Sequence, residues 1–378
     1  MWSEALMSSG EEEHSFVRAE VHPAGGRWRA AEAVSTEGSN PHVAVDGRGE
    51  AIAVWETDGG SEVSVRPSGG GWLAPQTLFR PGADEPEVAT DAMGDAVVIS
   101  WSEEPGYTGL HAVARPAGGS LSSEYTITRG YIGADPGIVM NARGDTFVAW
   151  TSDDAGKCFL RGAYRGADGN WSAPHAVVAH TFSPAPCPRS EQIAIDARGD
   201  AIVVWEVARG GKTFIEAAER GATGRWTSRG IISRVPGGLE GVARVGMDAQ
   251  GGVIVVWGQA ARSGGRRTMW YRLGQSGQGW QPARRIAGVE GWAPSLAVDA
   301  RGDALLAWQD ESGVTAVVRP AGGGWGKPVI VARHPPSELG VSRGVVAALD
   351  ARGGGLLTWS TDQNLKTSWD SALFAPSK

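Results

Sequence analysis

Seven times along the chain, at intervals of about fifty residues, a short apolar run, an Asp/Asn-x-x-Gly tetrapeptide and a second apolar run ending on tryptophan recur. The clearest copy is Pro294 to Trp308, PSLAVDARGDALLAW. The turn residue is Asp46, Asp91, Asn141, Asp196, Asp248, Asp299 or Asp350, with glycine three residues later at Gly49, Gly94, Gly144, Gly199, Gly251, Gly302 and Gly353. The closing tryptophan is Trp55, Trp101, Trp150, Trp205, Trp257, Trp308 or Trp359, six residues past the glycine except in the second copy, where it is seven. Runs such as AIAVW and VIVVW are too short for helices and rich in β-branched residues, so they read as strands. An Asp or Asn that bonds its own backbone, followed by a glycine able to take positive φ, makes the tetrapeptide a tight hairpin turn. One extra residue reverses the faces of a strand, so the second copy predicts a β-bulge between Gly94 and Trp101.

A proline opens the first strand at Pro41, Pro86, Pro136 and Pro294, where a missing N–H is tolerated. Downstream, VVRPAGGGW ending at Trp325 recurs as VRPSGGGW, YRGADGNW and ERGATGRW. This is a third strand, a glycine turn and a fourth strand. The second tryptophan is Trp72, Trp171, Trp226, Trp280 or Trp325, with Trp28 in the leading half-repeat, and the second copy has Leu121 there. Each repeat is therefore expected to be a four-stranded antiparallel meander. After a lead-in over 1–14, residues 15–40 hold only the second half of a repeat; 41–340 hold six whole repeats, 341–360 a first half, and 361–378 a tail. The two halves complement one another, giving 28 strands, and closure removes the exposed sheet edges that an open stack leaves. The expected fold is an all-β, seven-bladed β-propeller in one domain over 1–378, its last blade closed by strands from both termini. A competing arrangement makes LKTSWDSALF in the tail a third strand and Trp2 the mark of a further strand upstream.

The segments PHVAVDGRGE and PSLAVDARGD resemble the inner strands of NHL-type propellers, in which P-x-G-I/V-A-V-D-x-x-G-N/D recurs in each blade. The chain is also similar to bacterial propeller repeats grouped with BNR, sialidase-like proteins. The likeness covers about fifteen residues per repeat; it implies a fold and leaves the function open. The S-x-D-x-G-x-T-W Asp box is missing, so sialidase chemistry is not implied, and the GG-Tyr-Trp pattern of kelch repeats does not fit.

Composition excludes several functions. A net charge of −7 and a pI near 5.6 disfavour nucleic acid, whose phosphates call for clustered cations. No run of eighteen apolar residues offers a transmembrane span, and MWSEALMSSGEEEH lacks a signal-peptide pattern. There is no Walker loop, HExxH or D-x-D-x-D-G motif, and the seven histidines show no ligand spacing, so neither metal nor cofactor is expected. RGD occurs at Arg143–Asp145, Arg198–Asp200 and Arg301–Asp303, always inside the first turn. Arg48-Gly49-Glu50 and Arg352-Gly353-Gly354 fill the same place, so repeat drift explains it better than adhesion. Thirteen of the seventeen tryptophans sit at the two repeat positions and read as core.

First turns have one length throughout, whereas second turns and crossovers vary, as in EEPGYTGL, TSDDAGKC, AHTFSPAPCPRS and RHPPSELG. Variable loops on a rigid scaffold are the usual place for binding. Cys158 and Cys187 should reach this same rim, where a disulfide would imply an extracellular or cell-envelope location. The rim also collects carboxylates, among them Glu56, Asp84, Glu85, Glu103, Glu104 and Glu206, and the out-of-register aromatics Tyr107, Tyr131, Phe182 and Trp292. Aromatic faces beside carboxylate acceptors suit sugar rings, which offer C–H faces and hydroxyl donors. Trp292, Tyr131, Glu56 and Glu206 are the ligand-binding candidates. The expected function is a non-catalytic, monomeric extracellular propeller that binds a ligand such as a glycan. The alternatives are a glycan-active hydrolase or lyase, with Glu56 and Glu206 as the best carboxylate pair, and a scaffold for an extracellular protein.

Overall fold

The apolar runs flanking each Asp-x-x-Gly pair as hairpins. In the first repeat Ser39–Val45 lies antiparallel to Ala51–Thr57, which pairs with Gly60–Arg66, which pairs in turn with Gln76–Thr77. The next five repeats form the same four-stranded meander, and eight sheets hold all thirty described strands. These are blades of the β-propeller type in an all-β protein. The computed structural model describes residues 2–6, 14–20, 30–133, 136–154, 156–178, 187–209, 212–221, 224–233, 239–260, 267–310, 313–333, 345–350, 353–363 and 366–374. Among them no helix is long and apolar enough to cross a membrane. The chain divides into two compact units, Met1–Ala176 and Val177–Lys378.

The terminal strands depart from the expected shared blade. Trp2–Leu6 pairs with His14–Ala19 beside Glu32–Ala33, and Lys366–Phe374 completes a sheet with Val345–Leu349 and Gly355–Gln363. The ends thus make two separate three-stranded sheets, which accounts for thirty strands in place of 28. The physical reason is register: the tail pairs with Gly355–Gln363 without interruption from Gln363↔Lys366 to Gly355↔Phe374. A nine-residue ladder satisfies the backbone groups that a strand from the other terminus would have had to satisfy.

The first turns are built around their Asp or, in repeat three, Asn141. In the first repeat the Asp46 carboxylate accepts the N–H groups of Arg48 and Glu50, both at 2.8 Å, and Gly49 takes φ 86°. Asp299 does the same for Arg301 and Asp303 at 2.9 and 3.0 Å. The turn arginines bend back onto these acids and onto the RGD aspartates: Arg198 onto Asp196 at 2.9 Å and Asp200 at 3.4 Å, Arg301 onto Asp299 at 2.9 Å and Asp303 at 2.7 Å. The RGD tripeptides are therefore internally paired turns. Asp145 shows the electrostatic balance of such a turn. Burial penalises its charge, yet hydrogen bonds from Tyr164, Asn141 and Arg143 outweigh that and hold its carboxyl below the usual range.

Bulges occur, at a place other than the one predicted. In repeats one, two, four, five and six the first strand carries one extra residue near its start, between Ser39/His42, Asp84/Glu87, Arg189/Gln192, Gly241/Arg244 and Trp292/Ser295. Pro41, Pro86 and Pro294 sit inside these bulges, where no ladder bond is lost for want of an N–H. Between Gly94 and Trp101 the second strand of repeat two runs without a break, from Ala96↔Arg115 to Ser102↔Gly109.

The repeat tryptophans form the core. Trp55, Trp150, Trp205, Trp257 and Trp308 are at most 1% exposed. Within the amino-terminal unit, Trp55 packs against Val17, Ala19 and Val34 of the preceding sheet, and Trp150 against Ile99, Leu110 and Ile127. In the carboxy-terminal unit Trp257 packs against Ile202, Val204 and Ile215. The indole that ends one repeat's second strand thus buries itself on the sheet before it, which is why period and tryptophan recur together.

A candidate ligand site at the loop end of the second repeat

Continuity of the second strand in repeat two decides where its tryptophan goes. Glu87 pairs with Ile99 as His42 pairs with Val54, so Ser100 occupies the core register of Trp55, and Trp101 falls one place further, opposite Asp84. That is the register of Glu56, opposite Ser39. The inserted residue is carried through the strand, and side chains beyond it change faces. Ser100 is fully buried, its hydroxyl donating to the Asp84 carbonyl at 2.7 Å, while Trp101 is partly exposed.

The vacated core position is filled from the following loop. Tyr107, expected among the ligand-facing aromatics, is 4% exposed and packs with Val54, Phe79 and Val98. It stacks on buried His111 at 4.0 Å, and the Arg80 guanidinium covers its other face at 3.6 Å. Its hydroxyl donates to Glu124, which also lies 2.9 Å from His111 Nδ1. Burial first, and then Glu124, push the Tyr107 phenol well above its usual range. A phenol held neutral in this way is a structural plug and a poor proton acceptor.

Around Trp101 the structure gathers carboxylates and one strained backbone. The indole N–H donates to Glu85 Oε2 at 3.1 Å, and Asp84, directly across the strand pair, is exposed. Glu85 and its counterpart Asn40 both have φ 46°, the left-handed region that few residues other than glycine adopt. Such conformations cost of order 1–3 kcal/mol and need support from their surroundings. Here the support is Glu56. Its carboxylate accepts the Glu85 N–H, the Asn40 side-chain amide at 2.9 Å and the Ser39 hydroxyl at 3.4 Å. Trp101 packs against the cluster that contains Ile132, whose neighbour Tyr131 is 49% exposed.

Of the four residues singled out from sequence, then, Glu56 and Tyr131 lie in this region of the amino-terminal unit. Glu206 belongs to the other unit, across the strand pair from Arg189. There burial lowers the pKa of Arg244 in the next repeat and the Glu206 charge opposes it. Trp292 opens the first strand of repeat six, and its side chain lies outside the described residues, as do Phe182 and Arg352. The two cysteines are bonded to each other, with Cys158 6% exposed. Trp101 itself was missed, although its signal, the seven-residue spacing, was visible.

A cleft of about 320 Å³ opens beside Ser35, Thr36, Glu37, Glu62 and Pro75. Burial, then the charge of Glu37, raise the Glu62 carboxyl above its usual pKa, and the Trp55 indole partly offsets them. A carboxyl raised in the fold loses stability for the protein as pH rises through its folded pKa. Glu62→Gln is accordingly expected to raise the urea midpoint at pH 7 and to leave it unchanged at pH 3.5. A lower midpoint at pH 7 would contradict the assignment. Among the described residues no three His, Cys, Asp or Glu side chains are placed to hold a metal ion.

The class these features define is an all-β protein of propeller-type blades. No protein-family model matches the sequence, and no curated protein matches it either. Solved structures do. The chain is similar to the polysaccharide lyase Uly1, with 8% identity and a TM-score of 0.59 over 87% of this chain and 88% of that one. It is similar to an ulvan lyase of polysaccharide lyase family PL25, with 10% identity and a TM-score of 0.53 over 89% and 93%. A protein from Lactobacillus plantarum matches at 13% identity and a TM-score of 0.52, over 86% and 94%. At these identities the likeness is one of fold.

Proposed function

We propose that this chain is a non-catalytic, extracellular ligand-binding propeller of NHL/BNR-like repeats. In this reading the repeats are propeller blades, and carbohydrate binds at the loop end of repeat two. One observation carries the proposal: repeat two moves its tryptophan out of the core to stand beside Glu85 and Asp84, and Tyr107 takes its place. Indole faces stack on the C–H faces of pyranose rings, and flanking carboxylates accept sugar hydroxyls. Glu56 holds the strained Glu85 in position, and exposed Tyr131 extends the aromatic surface. Glu206 and Trp292 remain candidates for a corresponding contact in the carboxy-terminal unit. Two of the structurally similar proteins act on polysaccharides, which supports a sugar as the ligand class. The disulfide suits an oxidising compartment and so an extracellular setting.

Isothermal titration against a panel of neutral and acidic oligosaccharides tests this reading. One sugar class is expected to bind, and Trp101→Ala to weaken it at least tenfold with a small change in melting temperature. Unchanged affinity in that variant would refute the site. Release of new chain ends from the bound sugar would replace binding with catalysis.

A further inference from the structure

The arginine that precedes the third turn links one repeat to the one before it. In repeat two Arg115 reaches back to Glu50, four residues past the turn acid of repeat one, with Nη1 2.7 Å from Oε1. In repeat three Asp95, at that same place in repeat two, supplies counter-charge to Arg165. The pattern recurs in the carboxy-terminal unit with one half missing. Arg319 of repeat six pairs across the strands with Ala304, as Arg115 does with Ala96, but the acid of repeat five is replaced by Gly252.

The two repeats are packed in the same way in both cases. A Cβ on Gly302 would meet the Asp248 carboxylate at 3.0 Å, as one on Gly94 would meet that of Asp46 at 2.7 Å. Arg319 is only 7% exposed, its Nε is shut off from solvent, and among the described residues it makes no hydrogen bond or ion pair. The nearby acids are otherwise engaged. Asp303 takes Arg301 and the Ala321 N–H, both at 2.7 Å, and Asp248 takes the N–H groups of Gln250 and Gly252, both at 2.8 Å. A buried guanidinium without a counter-charge is costly, and its planar fork fits carboxylate and sulfate geometry.

We propose that Arg319 is an oxyanion-binding site, where a ligand's carboxylate or sulfate group takes the place that Glu50 occupies against Arg115. The site lies at the first-turn end of the sheets, in the other compact unit from Trp101, and does not depend on the carbohydrate reading. Its ligand is either a free inorganic oxyanion or the acidic group of a saccharide.

Titration calorimetry and thermal unfolding with sodium sulfate, sodium glucuronate and neutral methyl glucoside, at constant ionic strength, test it. Gly252→Glu supplies the missing carboxylate from within; its Cβ would crowd the Asp248 carboxylate, which has to turn aside to admit it. Arg319→Met removes the charge and keeps the stem. The wild type is expected to show saturable binding of sulfate or glucuronate, with a melting shift of about 2–4 °C at a hundredfold excess over Kd. Both variants should bind at least tenfold more weakly, and Gly252→Glu should melt higher than wild type in chloride alone. Tighter glucuronate binding identifies an acidic saccharide; tighter sulfate binding identifies the free anion. An equal response of wild type and Arg319→Met overturns the proposal, since sulfate stabilises proteins generally through surface exclusion. Arg319→Met decides the matter even if Gly252→Glu does not fold.

Discussion

Trp257→Ala is expected to destabilise the carboxy-terminal unit by about 3–5 kcal/mol, the range for removing a large buried aromatic. The indole is fully buried against Ile202, Val204, Ile215 and Ala243, and rigid strands on both sides leave little scope for collapse into the gap. Equilibrium urea unfolding followed by far-ultraviolet circular dichroism measures the loss. Trp101→Ala supplies the contrast, because the ring is partly exposed and its core place belongs to Ser100 and Tyr107. That substitution should cost about 1–2 kcal/mol. Equal costs for the two tryptophans would mean that the register change in repeat two has been misread.

Breaking the disulfide should have an effect of similar size. Cys158 opens the third strand of repeat three, and Cys187 lies just ahead of the first strand of repeat four, so the bond closes a loop of about thirty residues. Loop-closure entropy puts the stabilisation at about 3–4 kcal/mol. Cys158→Ser, or reduction of the wild type, should lower the urea midpoint accordingly, and reductant should have no further effect on the variant. A midpoint insensitive to reductant in the wild type would show that the unfolded chain gains nothing from release of the loop.

The two candidate sites arise from departures from an otherwise regular repeat. Repeat two has one residue too many ahead of its tryptophan, and repeat five has glycine where an acid pairs with the next arginine. A regular array can absorb such changes only by altering a face or leaving a partner unmet. In the first case the outcome is an indole beside carboxylates; in the second it is a buried cation that meets no anion among the described residues.

Much of this was legible in the chain. The strands, the Asp-x-x-Gly turns, the four-stranded meander and the core role of the tryptophans follow from local rules, because alternation and turn chemistry act over a few residues. The disulfide, too, was inferred from where its cysteines fall between repeats. Tertiary structure decided the rest. A spacing of seven admits either a bulge or a reversal of face, and packing chose reversal because Tyr107 could reach back to fill the core. The bulges lie instead near the start of the first strand, and three of the five enclose a proline, where a lost N–H costs no ladder bond. Strand counting leads to one blade shared by the termini, whereas the tail's backbone is satisfied by its own unbroken ladder with Gly355–Gln363. Glu56 looked from the sequence like a free rim carboxylate; only the fold shows it holding Glu85 and Asn40, because those contacts join groups sixteen and more residues apart.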